Sequence, residues 1–316
     1  MTPDIRIRRV QGDADLSAFA ALHTEVMPED PASPEDMRWG DATYPPGAAR
    51  FLAEIDGRVI GAASAGRVFV YPPEYPDFWA TITVAPEVRR RGIGQRLLVA
   101  ISDHAHDSGK SGLTFRVSED RPESVAFLEH RGFTERERAA MVRLDLQGRT
   151  PPDPAPPAGI VLTSFAARPD LAAAIHAVAL EAFADIPTED EPLDVGDLDA
   201  FGARDLDRPG IPPDGLAIAV DETTGEVVGY ASLIFLPGST TVAWHDMTAV
   251  RRAWRGRGIA GALKRATIAW AIANGLTALE TGNDLDNGPM RAVNRRLGYA
   301  PLPDELLFRG PLLPAP

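Results

Sequence analysis

Cysteine is absent from all 316 residues. Disulfides, thiolate metal sites and a cysteine nucleophile are thereby excluded. Positive charge is in short supply: 32 Lys and Arg stand against 45 Asp and Glu, a formal net charge of −13. The chain therefore lacks the basic footprint of a general nucleic-acid or anionic-membrane binder. It has no run of ~20 apolar residues to span a membrane, and Met1 to Arg6 shows no apolar signal segment. A cytoplasmic protein is the expectation. There is no His-Glu-x-x-His, no Walker loop and no Gly-x-Ser-x-Gly. His104 and His106 lie two apart on an expected helix, where side chains diverge, so no metal is expected.

What is present is an ordinary apolar fraction, 44%, and length enough for two domains. Ile5–Val10 alternates as a strand, and Asp15–Val26 carries apolar residues at helical spacing. A proline-rich irregular stretch runs on to about Ala49. Phe51–Ile55 and Val59–Val70 flank Asp56-Gly57, a hairpin signal. A strand (Phe78–Val84), a glycine turn, a helix to Asp107 and a strand (Leu113–Val117) follow. A helix (Pro122–His130) and a strand (Arg138–Leu146) close the first half. Residues 147–158, rich in proline, read as a semi-rigid linker. The second half repeats the plan: strand Ile160–Phe165, helix Asp170–Phe183, an acidic and proline-rich irregular stretch Asp185–Pro213, and a hairpin around Glu222–Gly225. Strand Thr241–Val250, a glycine turn, helix Ala262–Ala273, strand Leu276–Glu280 and helix Pro289–Arg296 complete it.

Val84 and Val250, Gly92 and Gly258, and Gly132 and Gly298 are each separated by 166 residues. Three landmarks at one offset indicate a tandem duplication. The expected boundaries are 1–146 for the first domain, 147–158 for the linker and 159–316 for the second. Each copy reads as an α+β domain with a mixed sheet.

The strand–glycine turn–helix units turn backbone N–H groups toward one point at a helix N-terminus, which suits phosphate. Gly256-x-Gly258-x-x-Gly261 fits a dinucleotide fingerprint, with Glu280 at ribose distance. The first copy lacks the third glycine, and neither copy continues into repeated βα units, which disfavours nicotinamide. What both copies share is Arg-x-x-Gly-x-small after a strand ending in Val: Arg89, Gly92 and Gly94, then Arg255, Gly258 and Ala260. Each copy then ends a helix on Gly-aromatic, Gly132-Phe133 and Gly298-Tyr299.

These paired motifs resemble the GCN5-related N-acetyltransferase (GNAT) superfamily, over nearly the whole chain outside linker and tails. The resemblance implies two tandem domains, each a mixed, mostly antiparallel sheet with a splayed parallel pair and flanking helices. It implies acetyl-CoA as co-substrate, its pantetheine arm lying between the splayed strands like an added strand. The cofactor contacts it implies are Val250, Arg255, Gly256, Arg257, Gly258, Ile259 and Ala260, and in the first copy Val84, Arg89, Arg91, Gly92, Ile93 and Gly94.

Acetyl transfer to an amine requires a base, because a free alkylamine has a pKa near ~10. By resemblance the base lies four or six residues before the last hydrophobic residue of the strand. That designates Asp246, on the face expected to carry Trp244 and Thr248, with His245 on the opposite face as the alternative. Ala80 and Phe78 stand at the same offsets in the first copy, which therefore reads as degenerate or regulatory with an intact cofactor loop. The family's frequent tyrosine acid is replaced by Leu128 and Asn294; Asn294 can hold a thiol or a water. Asn283 and Asn287 are further candidates for the pantetheine or acyl end, with helix capping as the competing role for Asn287. The acidic stretch Asp185–Asp207 is expected to line the acceptor site and to favour a cationic amine. The leading expectation is a direct-transfer N-acetyltransferase acting on a small-molecule amine, as monomer or homodimer. A non-catalytic acyl-CoA-binding scaffold and an enzyme like mycothiol synthase are the alternatives.

Overall fold

The computed structural model describes residues 5–44, 47–186 and 193–314. Residues 45–46 of the first proline-rich stretch and 187–192 of the acidic stretch lie outside the described residues. The chain forms two compact units, Met1–Arg138 with Asp304–Pro316, and Ala139–Pro303.

The first unit contains β1 (Arg6–Arg9), α1 (Gly12–Val26), α2 (Pro34–Thr43), β2 (Ala49–Ile55), β3 (Arg58–Arg67), β4 (Asp77–Val84), α3 (Ile93–Asp107), β5 (Gly112–Ser118) and α4 (Pro122–Glu129). Strand β6 (Thr134–Asp145) leads into the second unit. There follow β7 (Ile160–Ser164), α5 (Ala172–Phe183), α6 (Leu198–Phe201), β8 (Ala217–Asp221), β9 (Val227–Phe235), β10 (Val242–Val250), α7 (Ile259–Ala273), β11 (Ala278–Asp284), α8 (Gly288–Leu297) and β12 (Ala300–Pro301). Strand β13 (Glu305–Pro311) returns to the first unit.

Sheet order in the first unit is β1-β2-β3-β4-β5-β13, and in the second β7-β8-β9-β10-β11-β6, with β12 beside β6. One pair in each unit is parallel, β4 with β5 and β10 with β11. Helix α3 covers the first sheet through Leu97, Leu98 and Ile101, all at zero exposure, in one core with Leu52, Leu113 and Phe308. In the second unit α7 buries Ile259 and Leu263 with Ala219 and Val228, and Ile268 with Leu233 and Leu279.

The units depart from the sequence boundaries 1–146, 147–158 and 159–316 at their last strands. Strand β6 lies antiparallel to β11 over residues 139–145, and Arg143 forms an ion pair with Glu280. Strand β13 lies antiparallel to β5, placing Phe308 opposite Phe115 and Arg309 on the buried carboxylate of Asp77. The proline-rich linker therefore lies within the second unit, where the Arg265 guanidinium donates to the carbonyls of Asp153 and Pro154.

Two stretches expected to be irregular contain helices. Ser33 caps α2 by accepting from the Asp36 N–H, and Pro34 occupies its first turn. The helix buries no residue, so it left no apolar period in the sequence. Asp197 caps α6 by accepting from the Ala200 N–H, and a π-helical turn, Gly202–Leu206, continues it. Buried Phe201 and Leu206 anchor that segment.

Candidate active site

Each unit has one glycine-turn cradle. Gly92 and Gly258 cap α3 and α7 at φ of 80° and 86°, a left-handed conformation that glycine enters without Cβ strain. The N–H groups of residues 90–95 and 256–261 donate to no protein acceptor among the described residues. Each turn thus presents a row of donors at the positive end of a helix dipole, the chemistry a pyrophosphate requires. The donor set fits the phosphates of CoA.

The motif arginines have a different place from the one the sequence suggests. The Arg255 Nε donates to the Val250 carbonyl at 2.9 Å, and the Arg89 Nε to the Val84 carbonyl at 3.2 Å. The same clamp recurs in both copies and fixes the turn on the end of its strand. Arg255 also pairs with Asp185 at 2.7 Å. Arg257 lies over the Trp254 ring and donates to the Ala253 carbonyl, while Arg91 is exposed. Ile93 and Ile259 bury their side chains in the cores, so only their backbones face the turn. Gly256 has φ 76°; its counterpart Arg90 is held at φ 62°.

The parallel strands part early. Pairing between β10 and β11 covers Val242–Trp244 against Ala278–Glu280. The register of β10 on β9 then shifts between His245 and Thr248. Leu233 faces His245 and Ala231 faces Thr248, so Asp246 and Met247 together oppose Ser232. This is a β-bulge with one extra residue. In the first unit β3 and β4 pair continuously, Ala65 with Ala80, Ser64 with Thr81 and Ala63 with Ile82. Anchoring both on Gly61–Val84 and Gly229–Val250 makes Thr81 the counterpart of Asp246-Met247, and Ala80 that of His245. This corrects the fixed-offset pairing of Ala80 with Asp246 and of Phe78 with Trp244: the bulge moves the register by one, and Trp79 matches Trp244. The Ser64 and Thr81 hydroxyls hydrogen-bond at 2.8 Å where the second copy sets Ser232 against the Asp246 carboxylate.

Asp246 is open to solvent, yet crowded by protein that raises its carboxyl above the ordinary carboxylate range. The Met247 N–H, the Ser232 side chain and the charges of Arg204 and Arg208 oppose that rise. Asp205, from the π-helical turn, is raised to about 6 by burial, against Arg204 Nε at 2.7 Å, with the charge of Asp246 adding to the rise. Tyr230 on β9 is 2% exposed, and its hydroxyl, which finds no partner among the described residues, is influenced by both carboxylates. Among the described residues of the acidic stretch, Asp205 is the carboxylate brought near Asp246, with Arg204 and Arg208 beside it. Asp185, at the start of that stretch, instead binds Arg252 and Arg255 at the glycine turn. The sequence did not single out Tyr230 and Ser232; strand alternation and the bulge bring them here.

His245 is corrected. It is fully buried, with Nδ1 2.8 Å from the Tyr299 hydroxyl and Nε2 3.1 Å from the Thr267 hydroxyl. Thr267 donates its own proton to the Lys264 carbonyl, so His245 carries its proton on Nε2 and accepts from Tyr299. Burial and the Lys264 charge hold its pKa well below the ordinary value. With both nitrogens engaged and no solvent access, it is no base for a substrate. Asn287 caps α8, accepting from the Met290 N–H. Asn294 is 2% exposed; its Nδ2 donates to Asn283 Oδ1 at 2.7 Å, while its Oδ1 is buried without a partner among the described residues.

A sequence profile described as "Acetyltransferase (GNAT) family" matches residues 16–133 and 180–299. A mycothiol acetyltransferase from Clavibacter michiganensis subsp. michiganensis is 30% identical over 310 residues, covering 98% of this chain and 92% of that relative. One from Thermobispora bispora is 30% identical over 236 residues, covering 73% of this chain and 72% of that protein. Among solved structures, a tandem GNAT protein from the clavulanic acid biosynthesis pathway has a TM-score of 0.79 at 23% identity, covering 99% of this chain and 100% of its own. A GCN5-related N-acetyltransferase from Sphaerobacter thermophilus has 0.75 at 21%, covering 100% and 98%.

Proposed function

The chain belongs to the acetyltransferase (GNAT) family, and from that premise we propose that it moves an acetyl group from acetyl-CoA directly to a small-molecule amine, with the second unit as the catalytic one. The observation that carries this reading is the bulge present in β10 and absent from β4. It sets a solvent-open carboxylate where the parallel strands diverge. Acetyl-CoA supplies an activated acyl group as a thioester. The N–H groups of residues 256–261 hold its phosphates, and Arg255 keeps the turn in place. Asn283 and Asn294 bind the inner part of the arm, with Asn294 Oδ1 as a ready acceptor. Asp246 takes the proton of the attacking amine, which its raised pKa suits. Asp205 provides a second negative charge for a cationic acceptor.

The acceptor that the full-length likeness to the Clavibacter protein favours is the free-amine precursor of mycothiol. The test is a thiol-release assay with acetyl-CoA across that precursor, diamines, amino sugars and neutral amino acids. Turnover with the precursor or another cationic amine is expected. Turnover confined to neutral amino acids removes the acceptor assignment, and full activity in Asp246→Asn removes the base. Acetyl-CoA binding without turnover on any acceptor would leave the scaffold alternative.

A further inference from the structure

The reverse face of β10 carries a polar cluster that acetyl-group recognition and the base do not use. Lys264 on α7 is 1% exposed. Among the described residues its ammonium has no carboxylate partner; it lies over the aromatic face of Tyr299, 5.4 Å from Nζ to the ring centroid. Beside it the Tyr299 hydroxyl, His245 and the Thr267 hydroxyl form a hydrogen-bonded chain that ends on the Lys264 carbonyl. The duplication supplies an internal control. The positions matching Lys264, Thr267, His245 and Tyr299 in the first unit are Leu98, Ile101, Ala80 and Phe133, all buried and apolar. Packing under the helix is thus met by hydrocarbon alone. An ammonium buried without a counter-ion is costly, and the first copy shows that packing alone does not require a lysine here.

The cluster adjoins the point where the parallel strands part, which the acetyl-CoA reading gives to the thioester. His245 is the first residue of β10 beyond its pairing with β11, and it directly precedes Asp246. Tyr299 donates its N–H to the Asn294 carbonyl, joining the cluster to the asparagine that replaces the family's tyrosine acid. Resting on the acetyl-CoA reading, we propose that Lys264 is a positioning residue whose buried ammonium stabilises the thiolate that departs from the acetyl group. In the transfer step Asp246 accepts the amine proton as the amine nitrogen bonds the acetyl carbon. Lys264 stays protonated while the sulphur leaves with the C–S electron pair. No group is oxidised or reduced, and no separate acid is required at position 294. Burial lowers the Lys264 ammonium to about 7, which places its charge within reach of the working pH. Among the described residues, the titratable groups facing it are His245 from β10 and Tyr299 after α8. Asp246 lies on the other face of β10, and Arg265 points outward to the linker carbonyls.

The test uses free CoA and needs no acceptor. The thiol of CoA bound to the full-length protein is titrated by its ultraviolet thiolate absorbance. Its pKa should fall by about one unit or more relative to free CoA, the effect of a nearby cation on a thiol. In Lys264→Leu, which copies Leu98 of the first unit, and in Lys264→Met, the shift should vanish. CoA affinity should stay within about threefold and Tm should be unchanged or higher, since an unpaired buried charge is removed. A purely structural lysine predicts the reverse, lost Tm with an unchanged thiol pKa. An unshifted thiol in wild type, which requires no variant, overturns the proposal alone. Absence of CoA binding by wild type overturns the cofactor reading and this proposal with it.

Discussion

Asp246 and Asp205 are two carboxylates under the same roof, and their surroundings give them different work. Asp246 is held above the ordinary carboxylate range by crowding, so transfer should fail as pH drops through that raised value, above the usual ~4. Asp246→Asn should lower kcat by about 10²- to 10⁴-fold and abolish that acid limb, with KM for acetyl-CoA little changed; the pH–rate profile checks it. Asp205 binds its proton more tightly folded than unfolded. It therefore costs stability progressively as pH rises from its unfolded value toward about 6, and fully above that. Asp205→Asn should raise Tm at pH 7 to 8 while raising KM for cationic acceptors, read by thermal melts and initial rates. His245 has the opposite sign of linkage. Its folded pKa lies below its unfolded one, so its contribution is complete above ~6.5 and is lost as pH falls from there. His245→Phe should flatten that slope of stability against pH, at a cost of about 1–3 kcal/mol for orphaned hydroxyls. The acid limb of activity should remain.

At the scale of elements, one inserted residue in β10 separates the two copies. Removing it by deleting Met247 restores the continuous register of β4. The expected product folds and binds acetyl-CoA but releases no thiol with any acceptor, as isothermal titration and a rate assay would show. Retained turnover would mean that the bulge does not set the base. The glycine turn is set by backbone conformation. A Cβ on Gly258 meets nothing within 4 Å, but the residue sits at φ +86°. Gly258→Ala should thus cost about 1–2 kcal/mol of local strain, weakening CoA binding by about tenfold. The arginine clamp, shared by both copies, was visible in the sequence only as a charge. That Arg255 and Arg89 hold strand carbonyls follows from how the turn closes.

At the scale of the whole molecule, each compact unit needs a strand from the other half of the sequence. A chain ending at residue 303 would leave Phe115 and Val117 without Phe308 and Leu306, and Asp77 without Arg309. Residues 1–146 expressed alone are therefore expected to melt non-cooperatively. Addition of residues 304–316 through a flexible linker should restore a cooperative transition, checked by circular dichroism and hydrogen exchange. A stable, cooperative 1–146 fragment would show that β13 is dispensable.

The amino-acid sequence by itself determined the duplication, the strand–glycine turn–helix units, the α+β class and the family. Those rest on local requirements, such as a left-handed turn at Gly92 and Gly258 or apolar periodicity on α3 and α7, which a residue type satisfies wherever it occurs. It also named Asp246 as the candidate base. What only the tertiary structure decided depends on which chain segments lie side by side. The bulge is defined by the partner strand, so a fixed offset of 166 matched Asp246 to the wrong counterpart. The strand exchange is invisible because β6 and β13 have the alternation of any strand and carry no label for the edge they fill. The proton on His245, the raised carboxyl of Asp205 and the lowered ammonium of Lys264 arise from burial and from neighbours 19 to 54 residues distant. Desolvation is a property of the packed interior, and no spacing within the chain encodes it.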